Sequence, residues 1–114
     1  MSQEKKKWID ICQLDEILPN TGVAALVGQD QVAVFRIGDS TEVRAISNYD
    51  PFTKANVLSR GIIGSSGDVI KVASPLLKHQ FNLETGEYID DPTVAIPVYA
   101  TRVVNGEVQV LPAC

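Results

Sequence analysis

The sequence is poor in nitrogen and sulfur ligands for metals. Its 114 residues include one histidine, His79, and two cysteines, Cys12 and Cys114. An iron–sulfur cluster or a structural zinc ion normally takes four such side chains, and the spacing of these three matches no metal-binding motif. The sequence therefore predicts no metal and no cofactor bound by this chain.

The single histidine also argues against nucleophilic catalysis. Such catalysis needs a serine or cysteine beside a histidine base that an acid orients. Ser74 lies five residues before His79, but a proline follows it and no glycine elbow surrounds it. The pair Asp90-Asp91 precedes Pro92 and is typical of an exposed turn. We expect no catalytic residue in this chain.

Aromatic residues and positive charge are also scarce. The chain has seven aromatic residues and a net charge of −4, whereas proteins that bind nucleic acids rely on basic surfaces and stacking aromatic rings. A small β-barrel that binds nucleic acid is the least favoured alternative, and we expect no nucleic-acid partner.

No apolar run approaches the roughly 20 residues that span a bilayer, so we expect no membrane association. The basic start Lys5-Lys6-Lys7 is followed by a strand-like segment containing Asp10, which does not resemble a secretory signal. These features predict a cytoplasmic protein, in which Cys12 and Cys114 are not expected to form a disulfide. The length is that of a single domain, residues 1–114.

Short β-strands punctuated by turn residues dominate the pattern, which predicts an all-β fold. Residues 23–27, 31–37 and 42–46 are expected to form a three-stranded meander, with Val43 and Ala45 facing inward. Two further strands, residues 98–104 and 107–111, flank Asn105-Gly106, the dipeptide preferred in type I′ hairpin turns.

The segment of about residues 47–88 differs, because glycine, proline and serine interrupt it repeatedly. We expect a small loop subdomain here with one clear strand, residues 68–73, and a flexible loop at residues 61–67. Two packed antiparallel sheets or a partly open barrel would accommodate the remaining strands.

Two motifs in this subdomain carry a family resemblance. The first is Asn48-Tyr49-Asp50-Pro51-Phe52. The second begins at Ser74-Pro75 and continues through Phe81 to Asn82-Leu83-Glu84-Thr85-Gly86. Their spacing resembles the two cluster-binding loops of Rieske domains, which supply one C-x-H and one C-x-x-H pair. The opening at residues 8–17 and the segment at residues 96–99 resemble other parts of small Rieske-type ferredoxins.

The resemblance places Asp50, Phe52, Ser74 and Leu77 at the former ligand positions, and none of these residue types replaces a cysteine–histidine set. The cluster-less pattern with Asp-Pro-Phe resembles the small-subunit family of the assimilatory NAD(P)H-dependent nitrite reductase. That resemblance implies a Rieske-like fold without its [2Fe–2S] cluster.

The same resemblance implies a partner and a reaction. The partner is a large catalytic subunit that carries FAD, an iron–sulfur cluster and sirohaem, and the complex reduces nitrite to ammonium in the cytoplasm. This chain would assist or stabilise the large subunit without catalytic residues of its own. The alternative is a stand-alone cluster-less module that docks on another oxidoreductase.

Something must fill the volume that a cluster would occupy. We expect Phe52 and Leu77 to turn inward and pack together, since a buried side chain of this size contributes about 1.5–3 kcal/mol. The alternative is that Leu76 or Leu77 stays outside and forms an apolar anchor for a partner. Leu76, Lys78 and His79 are the predicted partner contacts.

Overall fold

The computed structural model describes residues 7–76 and 78–112. Within these ranges the chain forms short β-strands and two single turns of 3-10 helix. The strands, in chain order, are β1 (Ile9–Gln13), β2 (Gly22–Val27), β3 (Asp30–Arg36), β4 (Val43–Ser47), β5 (Tyr49–Asp50), β6 (Ala55–Asn56), β7 (Ile62–Ser66), β8 (Val69–Ala73), β9 (Gln80–Asn82), β10 (Glu87–Tyr88), β11 (Asp91–Ala95), β12 (Val98–Tyr99), β13 (Thr101–Val104) and β14 (Glu107–Val110). The 3-10 turns are Leu14–Glu16 and Leu58–Arg60. The predicted all-β fold is confirmed.

The middle layer is a four-stranded antiparallel sheet with the order β12-β4-β3-β2. In β3, the side chains of residues 32–35 are all buried. Because alternate residues of a strand point to opposite faces, this unbroken run means that both faces of the sheet are covered. Val32 and Val34 belong to one apolar cluster, and Ala33 and Phe35 belong to another.

Each apolar cluster lies between the middle sheet and an outer sheet. A three-stranded sheet with the order β1-β14-β13 contributes Val108 and Val110 to the first cluster. A five-stranded sheet with the order β11-β10-β9-β8-β7 contributes Val72 and Phe81 to the second. The described chain is therefore a stack of antiparallel sheets and not a closed barrel.

The meander of β2, β3 and β4 follows the sequence prediction closely. Ala24 pairs with Ala33, and Val34 pairs with Ala45. Val43 and Ala45 are buried as expected. Local alternation and the turn residues between these strands were enough to place them.

The turn between β13 and β14 is also confirmed. Asn105 and Gly106 have φ angles of 52° and 83°, and a type I′ turn needs positive φ at both central positions. A side chain at residue 106 would be strained in this conformation.

Two sequence predictions for other strands were wrong. The strand expected at residues 98–104 is interrupted at Ala100, where the chain leaves the middle sheet: β12 pairs with β4, while β13 pairs with β14. The loop expected at residues 61–67 is mostly strand, since β7 pairs with β8 along its length. Pairing with a neighbouring strand overrides weak intrinsic β-propensity, so the one glycine and two serines of β7 do not prevent strand formation.

Among the described residues, no helix is long and apolar enough to cross a bilayer. Cys12 is partly buried against the first apolar cluster. Cys114 and the lysines Lys5 and Lys6 lie outside the described residues.

Candidate functional site

Two loops, residues 50–54 and 74–78, contain the predicted former ligand positions, and an equivalent backbone hydrogen bond closes each of them. In the first loop, the Lys54 N–H donates to the Asp50 carbonyl oxygen at 2.7 Å. In the second, the Lys78 N–H donates to the Ser74 carbonyl oxygen at 3.1 Å. A proline follows the first residue of each loop and restricts φ there. Leu77 lies outside the described residues.

Asp50 is the central polar group of the first loop. Its side chain is fully buried, and its Oδ1 accepts the N–H groups of Phe52 at 2.9 Å and Thr53 at 3.4 Å. Burial by itself raises the pKa of this carboxyl, but the nearby Ser74 hydroxyl and the hydrogen bonds from Phe52 and Thr53 outweigh it. The pKa of Asp50 therefore lies below its ordinary value, and the group is ionised at neutral pH.

The side chains of Asp50 and Ser74 meet between the two loops. The Ser74 hydroxyl is close enough to lower the pKa of Asp50. Within the described residues, however, Asp50 Oδ2, Thr53 Oγ1 and Ser74 Oγ each lack a partner in hydrogen-bonding geometry. The two side chains are therefore neighbours that form no hydrogen bond of ordinary geometry.

An aromatic cluster joins the first loop to the five-stranded sheet. The ring of Phe52 stacks on the imidazole of His79, with centroids 4.2 Å apart and planes at 20°. Tyr88 lies 4.6 Å from Phe52 and 5.5 Å from His79 between ring centroids. Aromatic pairs at these distances stabilise one another by about 0.5–1.5 kcal/mol beyond burial.

We expected Phe52 to turn inward, and it does so only in part. Its side chain packs on His79 and Tyr88, yet it is 37% exposed. One face of the ring is occupied by the cluster, which leaves the remainder at the surface. The predicted packing of Phe52 on Leu77 lies outside the described residues.

His79 has a packing environment and not that of a catalytic base. Its imidazole lies between aromatic rings, and its Nδ1 is buried without a hydrogen-bond partner among the described residues. A catalytic histidine needs an orienting acid and a nucleophile within reach. The Ser74 backbone N–H, rather than its hydroxyl, bonds to the His79 residue, donating to the carbonyl oxygen at 2.8 Å.

Leu76 and Lys78, two of the predicted partner contacts, are at the surface. Leu76 is 57% exposed, and Lys78 is exposed as well. His79 is half-buried. Their role as partner contacts stays a prediction.

Asn48 anchors the base of the first loop, a role that the sequence pattern did not reveal. It is buried, and its Oδ1 accepts the Ser59 N–H at 2.7 Å. Its backbone N–H donates to the Gln31 carbonyl oxygen at 2.9 Å, and its carbonyl oxygen accepts the Leu58 N–H at 3.1 Å. An asparagine just before an Asp-Pro turn was the available signal, because such side chains commonly satisfy nearby backbone groups.

The former ligand positions do not fit a [2Fe–2S] cluster. A Rieske cluster takes two thiolates and two imidazoles, whereas phenylalanine and leucine offer no donor atom. Asp50 directs its carboxylate at the N–H groups of its own loop. Among the described residues, no group of three or more histidine, cysteine, aspartate or glutamate side chains could hold a metal ion.

A surface groove of about 380 Å³ includes Cys12 and Glu16 in its lining. Burial raises the pKa of the Cys12 thiol, and the nearby carboxylates of Glu16 and Glu107 raise it further. A reactive cysteine needs a lowered pKa. The groove therefore lacks the chemistry of a nucleophilic site.

Comparisons with known proteins identify relatives of this chain. Residues 7–111 match the Rieske-like [2Fe-2S] domain family. The nitrite reductase (NADH) small subunit of Escherichia coli K12 is 48% identical over 103 residues, which cover 90% of this chain and 95% of that protein. The solution structure of the nitrite reductase [NAD(P)H] small subunit from Erwinia carotovora is 50% identical, with a TM-score of 0.80, and the match covers 94% of this chain and 82% of that one.

A third relative has a different organisation. The nitrite reductase [NAD(P)H] large subunit of Klebsiella oxytoca is 40% identical over 105 residues, which cover 92% of this chain but 11% of that protein. A domain similar to this chain is therefore part of the same polypeptide as that large subunit.

Proposed function

The chain belongs to the Rieske-like [2Fe-2S] domain family and, within it, to the small subunits of NAD(P)H-dependent nitrite reductase, and we propose that it works as a non-catalytic accessory subunit. In this role it stabilises or orients the large catalytic subunit through surface contact. It does not relay electrons.

The buried Asp50 carboxylate carries this proposal. It occupies one former ligand position, faces Ser74 at another, and accepts backbone N–H groups of its own loop. At this position the carboxylate is thus bonded to protein groups, where a Rieske ferredoxin has a cluster ligand. A chain without cluster ligands has to contribute to the enzyme by binding.

The fused relative from Klebsiella oxytoca supports direct contact with a large subunit. A domain 40% identical to this chain is covalently part of that large subunit, so each large chain there carries one such domain. We infer that the separate chain binds its large subunit with the same one-to-one stoichiometry.

The wider reaction is part of the same proposal. The complex would reduce nitrite to ammonium in the cytoplasm, with electrons from NADH or NADPH. The large subunit would bind FAD, an iron–sulfur cluster and sirohaem. This chain would supply no ligand to any of them.

The first test is the metal content of the isolated chain. We expect no visible charge-transfer absorption and no stoichiometric iron after purification under anaerobic conditions. Iron and acid-labile sulfide approaching two per chain, the content of one [2Fe–2S] cluster, would overturn the accessory role. The control is a Rieske ferredoxin prepared in the same way, which should retain its colour.

The second test adds the chain to its large subunit. We expect the two proteins to elute together at one-to-one stoichiometry, and the large subunit to lose nitrite-dependent NAD(P)H oxidation more slowly on warming. Ligand binding to a folded state stabilises it by mass action. Separate elution, together with unchanged activity and unchanged inactivation rate, would contradict the proposal.

A further inference from the structure

The two loops present the same side chains at equivalent positions. The third residue of each loop is apolar and exposed, Phe52 at 37% and Leu76 at 57%. The fifth residue of each loop is an exposed lysine, Lys54 or Lys78. We call these four side chains the two-loop surface.

Both lysines have a backbone conformation that disfavours them. The φ angles of Lys54 and Lys78 are 57° and 59°, in the left-handed region that glycine adopts without strain and L-residues avoid. Strained residues cluster where a structure serves a function. The loops therefore hold two cations at positions where glycine would fold more easily.

The charge of this surface is opposite to that of the whole chain. The chain carries a net charge of −4, yet the exposed charges of both loops are lysines. Within the described residues, neither Lys54 nor Lys78 forms an ion pair. Two free cations beside exposed apolar side chains match a partner that offers carboxylates around an apolar depression.

The first loop also packs against its neighbours. Asp50 approaches Ser74, and the Phe52 ring stacks on His79 at 4.2 Å. A surface that is already ordered loses little conformational freedom on binding. This favours the two-loop surface over a flexible segment as a docking element.

We propose that the two-loop surface is where this chain docks on the large subunit, with Phe52 and Leu76 entering an apolar depression and Lys54 and Lys78 pairing with carboxylates around it. The inference rests on the proposed accessory function and names its contact face. It extends the predicted contacts Leu76, Lys78 and His79 to the equivalent positions of the first loop, with His79 supporting Phe52 from behind.

A second copy of this chain is a poorer occupant. A two-fold symmetric contact places the same patch of both copies together. Lys54 and Lys78 of one copy would then face the same lysines of the other, and like charges across an interface oppose association. An acidic surface on the large subunit has no such conflict.

The test measures the affinity of the full-length chain for its large subunit at several salt concentrations. We expect Leu76→Asp to weaken binding about tenfold or more, as loss of an apolar anchor does. Lys54→Glu and Lys78→Glu should weaken binding mainly at low salt and flatten its salt dependence. Leu18→Asp and Lys7→Glu are the matched controls, since Leu18 is 68% exposed and Lys7 is exposed outside both loops.

A second variant separates binding from folding. Lys54→Gly combined with Lys78→Gly removes both charges and relieves both strained positions. We expect its melting temperature to equal or exceed that of the wild type while its affinity falls. Loss of affinity in a protein that is no less stable cannot come from misfolding.

The outcomes distinguish this inference from the proposed function. If the wild-type chain does not bind the large subunit, the accessory function fails. If the wild type and all loop variants bind within about twofold of each other, the accessory function stands and the two-loop surface is wrong. Self-association of the wild type that the loop variants abolish would assign the surface to a second copy and overturn the proposal.

Discussion

The middle sheet and the two loops bury different kinds of atoms. In β3 and β4, the buried residues are all hydrophobic, and they contact an apolar cluster on each face of the sheet. The buried polar and charged residues of the described chain are Asn48, Asp50 and Ser74. All three lie at the bases of the loops.

The two regions also differ in how completely their buried polar atoms are hydrogen-bonded. The buried polar side-chain atoms without a partner in the described chain belong to Asp50, Thr53, Ser74, His79 and Gln80. An unpaired buried polar group costs about 1–3 kcal/mol. The middle sheet thus stabilises the fold. The loops and the two residues that follow the second loop carry unpaired groups, and the loops carry strained lysines, which packing elsewhere has to offset. Such a region is better suited to presenting a surface than to holding the fold together.

Truncating the middle sheet gives the largest effect that this comparison predicts. Phe35 is fully buried in the second apolar cluster, and its ring lies directly beside Gly22. We expect Phe35→Ala to lower the free energy of unfolding by about 3–5 kcal/mol, because it removes buried area and leaves a cavity. Urea denaturation followed by circular dichroism measures this change.

The control for Phe35 lies in the same sheet. Leu26 of β2 is 68% exposed, so Leu26→Ala should change the free energy of unfolding by no more than about 0.5 kcal/mol. If Phe35→Ala cost as little as Leu26→Ala, the middle sheet would not be the main source of stability and the contrast between the regions would fail.

Removing the Asp50 side chain should have a smaller effect. Asp50→Ala leaves the N–H groups of Phe52 and Thr53 without their acceptor, and we expect a loss of about 1.5–3 kcal/mol, the range for hydrogen bonds to a charged group. Asp50→Asn is the matched control because its side-chain oxygen can still accept both N–H groups. Denaturation gives the stability, and hydrogen exchange at Phe52 and Thr53 reports the loop itself.

Equal stability of Asp50→Ala and the wild type would show that the loop keeps its shape without the carboxylate. The unpaired Oδ2 of Asp50 would then outweigh the two N–H bonds to Oδ1. That result would contradict the idea that hydrogen bonds to Asp50 hold the loop in place of a cluster.

The sequence was most informative where structure depends on near neighbours. The meander of β2 to β4 and the turn at Asn105-Gly106 follow from alternation and from turn residues that act locally. Strand β7 could not be found in this way, since its glycine and serine residues become a strand by pairing with β8. Strand β11 was also missed, because Pro92 indicates a turn. It is an edge strand, where proline is tolerated.

The residues of the candidate site also differ in how far the sequence could predict their positions. The resemblance to Rieske loops pointed to Asp50, Phe52 and Ser74 and to two loops that contain them. It could not place the Phe52 ring, because that depends on His79 and Tyr88, which lie 27 and more residues away along the chain. The assignment of Leu76, Lys78 and His79 as partner contacts is still a prediction, which the binding experiment addresses.

The smallest expected effect is confined to acidic pH. The folded pKa of Asp50 lies below its ordinary value of 3.8, so the ionised carboxylate stabilises the fold. That contribution is complete above the pKa of the unfolded chain and is lost as the pH falls through the folded pKa. Wild-type stability should therefore decline below about pH 4, and Asp50→Asn should decline less steeply.

Asp91 provides the matched control for this decline of stability at acidic pH. Its pKa is also lowered, first by the Thr93 hydroxyl and then by the Thr93 N–H, but Asp91 is exposed and lies outside the loops. Solvent screens the charge of such a group. Asp91→Asn should therefore reduce the loss of stability at acidic pH less than Asp50→Asn does. Denaturation between pH 2 and pH 6 measures both slopes. Equal slopes would mean that the ionisation of the buried Asp50 carboxylate affects folding no more than that of the exposed Asp91 carboxylate. The loops would then not differ electrostatically from the rest of the molecule.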